Sequence, residues 1–127
     1  MEDFHRLRIY REARILTREL FAQTRRFPTR YRRLAEQLDE AVDSIGSNIA
    51  EGCSRKNSGH GNSELIRYGH MSFGSACEVE HRLATAYDRH LIAKKDFYAL
   101  HTRVVSLKKQ LSAWLRYLED NDRGRRS

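Results

Sequence analysis

From Phe97 onward the apolar residues Phe97, Leu100, Val104, Leu107, Leu111, Trp114 and Leu118 recur at alternating intervals of three and four. Side chains so spaced share one face of an α-helix, and a seam sustained over three heptads is stable in water only when packed against other helices. The period recurs upstream. Tyr10, Ala13, Thr17, Leu20, Thr24 and Phe27 mark a first helix that stops at Pro28, since proline lacks the N–H that the helical ladder needs. Thr29 is placed to cap a second helix, whose stripe is Tyr31, Leu34, Leu38, Ala41, Val42, Ile45 and Ile49. A third, capped by Asn62 or Ser63 with Glu64 in its first turn, carries Leu65, Tyr68, Ser72, Ser75, Ala76, Val79, Leu83 and Ala86 inward.

The expected helices cover about residues 5–26, 30–54, 62–89 and 94–120, with residues 54–61 as a polar loop. They lie in one domain, 1–122, followed by a basic disordered tail, 123–127. One proline and seven glycines among 127 residues argue against a turn-rich β architecture. The expected fold is all-α, an antiparallel up-down-up-down four-helix bundle.

Charge is distributed unevenly along this frame. Residues 1–33 hold ten basic against four acidic side chains, +6 of a formal net charge of +7. On the first helix Arg11, Arg14, Arg18 and Arg25 fall within a sector of about 60°, beside the apolar seam. A guanidinium donates two parallel hydrogen bonds to a phosphate and stays charged at any working pH, so such a stripe suits RNA or DNA. The competing expectation is a wet face paired with Asp39, Glu40 and Asp43 of the second helix. Arg55 and Lys56, in the loop beside His60, form a second basic candidate.

Two further lines stand beside the seams. On the third helix Ile66, Phe73, Cys77 and Ala84 lie roughly 90° from the core centre, which marks them as a candidate oligomer interface or as the broad margin of the core. On the second, Gln37, Ser44, Asn48 and Glu51 are expected to fix which helices pair and in what register, or to join a subunit contact through Glu51.

Enzymatic chemistry finds no support in the sequence. Glu78-Val79-Glu80-His81 has the Glu-x-x-His spacing of di-iron bundles, but there is one copy, on the far side of the third helix from its core residues. Gly59-His60-Gly61 lacks the lysine and the strand-loop-helix setting of a nucleotide-binding loop. Cys53 and Cys77 have no metal-ligand spacing and are expected to remain thiols. No catalytic residue, metal or cofactor is assigned. No apolar run is long enough to cross a membrane and the first residues lack the order of a secretion signal, so a cytoplasmic, membrane-free setting is expected.

Residues 44–52, Ser-Ile-Gly-Ser-Asn-Ile-Ala-Glu-Gly, resemble the signature of the bacterial four-helix-bundle family encoded in intervening sequences of 23S ribosomal RNA genes. Phe27-Pro28, Gln37-Leu38, Glu64-Leu65-Ile66-Arg67-Tyr68, and Gly74-Ser75 followed by Glu78 and Glu80 match in order and spacing, and the likeness spans about residues 4–118. The resemblance implies a non-enzymatic helical subunit that assembles into a ring, typically a homopentamer. It also implies kinship with the accessory proteins of diversity-generating retroelements, basic pentamers thought to bind nucleic acid and a reverse transcriptase. Where members place a basic pair after Gln-Leu, this chain has Asp39-Glu40 and then Asp43.

Overall fold

The computed structural model describes residues 4–56 and 61–126, with residues 61 and 123–126 as backbone only. Four helices carry the fold: α1 (Arg8–Thr24), α2 (Arg32–Arg55), α3 (Gly61–Asp88) and α4 (Lys94–Arg126). Short 3-10 turns, Phe4–Arg6 and Thr29–Tyr31, precede α1 and α2, and no strand occurs among the described residues. Asn57, Ser58, Gly59 and His60 of the expected loop lie outside the described residues.

α1 packs against α2 and α4, and α3 packs against α2 and α4, so each helix has two neighbours around a shared core. Leu16, Leu20, Leu38, Ile45, Ile49, Leu83, Leu107 and Leu111 are fully buried there. Each such side chain contributes about 1.5–3 kcal/mol by leaving water. A short polar contact joins every neighbouring pair as well. The Thr24 hydroxyl donates to Asp39 Oδ1 at 2.7 Å, and the Ser72 hydroxyl donates to the Ile45 carbonyl at 2.8 Å. Lys108 Nζ meets Glu80 Oε1 at 2.7 Å, and Arg103 Nε meets Glu19 Oε1 at 2.7 Å.

These contacts replace the polar line expected to set the pairing. Asn48 Nδ2 donates to the Ser44 carbonyl at 2.8 Å and to its hydroxyl at 3.1 Å, while Glu51 pairs with Arg55 at 3.4 Å. All three interactions stay within α2, because residues four apart on a helix reach one another more easily than they reach a neighbour.

Helix boundaries differ from the expected ones for local reasons. Pro28 starts a 3-10 turn, so Thr29 lies inside that turn and Tyr31 takes the N-cap position of α2 with no side-chain bond. α3 already begins at Gly61, which places Asn62 in the first turn, buried, with no hydrogen-bond partner for its Oδ1 among the described residues. α4 runs to Arg126, through most of the segment expected as a tail.

At the other end of α3 the chain turns on His90, whose φ is +62°. The Leu91 N–H reaches the Ala86 carbonyl at 3.0 Å and the His90 N–H reaches that of Tyr87 at 2.9 Å. This is the Schellman arrangement, in which the left-handed residue is usually glycine because a Cβ is strained there. His90→Gly is expected to stabilise the fold by about 0.5–1 kcal/mol, read as a rise in urea midpoint with unchanged slope.

The nonapeptide of α2 is a packing device. Ile45 and Ile49 are fully buried, Gly46 lies against Tyr10, and Gly52 lies against Leu65 and Tyr68 of α3. A Cβ on Gly52 would stand 3.0 Å from Tyr68 Cβ and 3.4 Å from Leu65 Cα, so α2 and α3 approach closely because that side chain is missing.

Candidate nucleic-acid interface

The buried residues of α1 are Ile9, Ala13, Leu16, Leu20 and Thr24. Ile9 and Leu16 were not among the residues expected in this seam, and with them the core face turns away from Tyr10, Thr17 and Phe27, which are half-buried at its edge. Arg11, Arg14, Arg18 and Arg25 consequently lie about 150° from the centre of the buried face, near the crest of the helix rather than beside the seam. All four are exposed.

None of the four guanidinium groups has an ion pair or hydrogen bond among the described residues. The pairing expected with α2 does not form. Asp39 turns inward to the Thr24 hydroxyl, and Glu40 and Asp43 are exposed without an ion pair among the described residues. Asp43 and Arg14 both line a small groove of about 140 Å³ with Tyr10, Thr17 and Gly46. The carboxylates of α1 itself are engaged on its other flank: Glu12 with Arg8 at 4.0 Å and Arg103 at 3.7 Å, and Glu19 with Arg103 at 2.7 Å.

Burial holds the Asp39 carboxyl above its ordinary value, against the pull of the Thr24 hydrogen bond. A carboxyl raised by folding binds its proton more tightly in the native chain than in the unfolded one. Ionised Asp39 therefore costs stability above the unfolded value of 3.8, and that cost is relieved as pH falls through the raised native value. Asp39→Asn is expected to raise the urea midpoint at neutral pH, with the advantage shrinking toward about pH 3.5. A larger advantage in acid than at neutrality would contradict this account.

The second basic candidate is less open. Arg55 belongs to the last turn of α2 and pairs with Glu51, whereas Lys56 is exposed just beyond it. Both lie about 14 Å along α2 from Gly46, which packs on Tyr10, so they sit toward the Arg11 end of the stripe. At the opposite end Arg26, Arg30, Arg32 and Arg33 are exposed around the α1–α2 turn, and Arg30 lies over the Tyr31 ring at 5.1 Å. These four belong to the basic excess of residues 1–33.

Two features escaped the sequence reading. Phe21 stands at the α2-facing edge of the arginine stripe, about 100° from the centre of the buried face, and is 53% exposed. Its spacing of seven from Arg14 was the available signal. On α2, Glu36, Glu40 and Asp43 form an exposed acidic line next to the basic one.

On α3 the line proposed as an oligomer interface has partial cover from its own chain. Ile66 and Phe73 pack on the margin of the core, Cys77 is half-buried and Ala84 is exposed. Lys108 Nζ lies over the Phe73 ring at 5.6 Å, and Phe73 shares a groove with Leu115 and the His70–Glu119 pair, whose atoms are 2.9 Å apart. Glu78 points away from the core and pairs with Arg82 at 3.2 Å. Among the described residues no group of His, Cys, Asp and Glu side chains is arranged to hold a metal ion, and no helix is long and apolar enough to cross a membrane. Cys53 and Cys77 are not joined in a disulfide.

A four-helix chain with a buried glycine-containing α2 and an arginine crest on α1 defines an all-helical bundle whose distinguishing chemistry is on its outer faces. The profile of the 23S rRNA-intervening sequence protein family matches residues 5–113, and the chain belongs to that family. Its fold is similar to the crystal structure of a protein of unknown function from the S23 ribosomal protein family of Bacteroides thetaiotaomicron. The two share 14% identity at a TM-score of 0.73, over 84% of this chain and 97% of the other. No curated protein matches.

Proposed function

We propose that this chain is a non-enzymatic, ring-forming bundle protein of the cytoplasm that binds RNA or DNA electrostatically through Arg11, Arg14, Arg18 and Arg25. The observation that carries the reading is the lack of any carboxylate partner for these four exposed groups among the described residues, although acidic side chains stand on both flanks. Lys56 and Arg55 extend the footprint. The order of contacts supports the up-down arrangement: Thr24 meets Asp39 and Thr17 meets Val42, while Tyr10 meets Gly46. In a ring of five, with Ile66, Phe73, Cys77 and Ala84 toward a neighbour, the crest repeats and weak phosphate contacts add through effective concentration.

Affinity for structured RNA, followed by fluorescence anisotropy, is expected to fall with salt at a log–log slope of about −3 or steeper for four phosphate contacts. A slope near zero would remove the electrostatic reading, and a mass of 15.0 kDa by light scattering would remove the ring. The acidic line of α2 favours a second reading, in which a protein partner such as a reverse transcriptase meets both lines at once. In that case purified RNA shows no salt-sensitive binding and only the protein is captured.

A further inference from the structure

We infer that Phe21 is a stacking platform for a base of a single-stranded polynucleotide whose phosphates lie on the arginines around it. This rests on the nucleic-acid reading above and narrows its ligand from any polyanion to one with uncovered bases.

Of the five phenylalanines, Phe4, Phe27, Phe73 and Phe97 are half-buried, and Phe21 is the one left exposed, at 53%. An exposed apolar side chain is common and means little alone. Its position is what distinguishes this one. Arg18 stands three residues before it, Arg25 four after and Arg14 seven before, so guanidinium groups lie within two turns on the same face. None of them lies over the ring, and Phe21 has no aromatic or cation–π contact among the described residues, so no other ring and no charge already occupies its exposed part.

A surface that alternates fixed positive charge with a bare aromatic face matches a polymer that alternates phosphate with a flat ring. A duplex satisfies only half of it, because its bases cover one another and a phenylalanine cannot read their edges. An unpaired strand presents π-faces, and stacking on an aromatic side chain tolerates any base. An apolar protein surface that covered Phe21 would strip water from unpaired guanidinium groups, a cost that phosphates offset. The path is bounded as well: Glu36, Glu40 and Asp43 repel phosphate on the α2 side, which leaves a track of about 21 Å along α1 from Arg11 to Arg25.

The test compares wild type, Phe21→Ala and Phe21→Trp on labelled oligonucleotides of about 12 nucleotides, single-stranded RNA, single-stranded DNA and the matching duplex, by anisotropy at fixed salt. Phe21→Ala is expected to weaken both single strands about tenfold and the duplex less than about twofold, with the salt slope unchanged; Phe21→Trp restores binding. Equal loss on single strand and duplex, or no loss, overturns the inference while arginine-dependent binding leaves the broader reading standing. A change in mass on light scattering for Phe21→Ala overturns it too, because it assigns the ring to a subunit contact. Absence of any wild-type binding sinks both together.

Discussion

With Arg11, Arg14, Arg18 and Arg25 all changed to glutamate, binding of structured RNA is expected to weaken about a thousandfold at roughly 0.1 M salt. An exposed, charge-assisted contact contributes on the order of 1 kcal/mol, so four lost contacts amount to about 4 kcal/mol, or three decades in affinity. The new glutamates also extend the acidic line of Glu36, Glu40 and Asp43 across the crest of α1, which replaces attraction by repulsion. The fold should survive the change, since no carboxylate of the described chain loses a partner when these four groups go. An unfolding free energy from urea titration within about 1 kcal/mol of wild type would confirm that the loss is one of binding alone. The all-lysine variant should keep the salt slope while binding more weakly, because lysine holds the charge and lacks the two-pronged donor. Unchanged RNA affinity in the glutamate variant would be fatal to the assignment of the stripe.

The largest effect on stability is expected at Gly52. Its missing Cβ already has only 3.0 Å to Tyr68 Cβ and 3.1 Å to Leu65 Cδ1, and the nearby Leu65 Cα at 3.4 Å is backbone that cannot rotate aside. Alanine there gains helix propensity and loses packing, two terms of similar size. Valine adds two methyl groups to a space that has none, so the α2–α3 seam must open. Gly52→Val is expected to cost about 3 kcal/mol, seen as a fall of about 10 °C in Tm. A similar clash at Gly69 is cheaper to relieve. There the closest atom, at 2.6 Å, is the far end of the flexible Leu115 side chain. If Gly52→Val melts with wild type, the close approach of the two helices is not what the nonapeptide provides.

The four helices were legible because their apolar residues recur at helical spacing over long stretches, and Pro28 marked the first turn without ambiguity. Details that depend on a neighbour were harder to read. Tyr10, Thr17 and Phe27 pass for core residues by spacing, yet they are margin residues, and the deeper Ile9 and Leu16 belong to the same face one step round. That small rotation decides whether the arginines flank the seam or crown the helix. Asn48 was a plausible interhelical donor until Ser44, one turn away, proved the nearer acceptor. Ser72 was legible as an inward-facing residue, although its bond to the Ile45 carbonyl requires knowing that α2 passes there. Whether the arginines were engaged could not be read from composition, since the same count of acidic residues could have lain against them. Phe21 was in plain view at the right interval, and a search for apolar stripes alone passes over a single ring among charges.

The placement of the family signature has a broader consequence. Residues 44–52 are spent on holding two rods together, so they form part of a chassis, and a solved structure at 14% identity keeps the same overall fold. Specialisation is then free to proceed by repainting the outside. Likeness of sequence should then forecast the shape of such a chain better than it forecasts the charge relief of its first two rods.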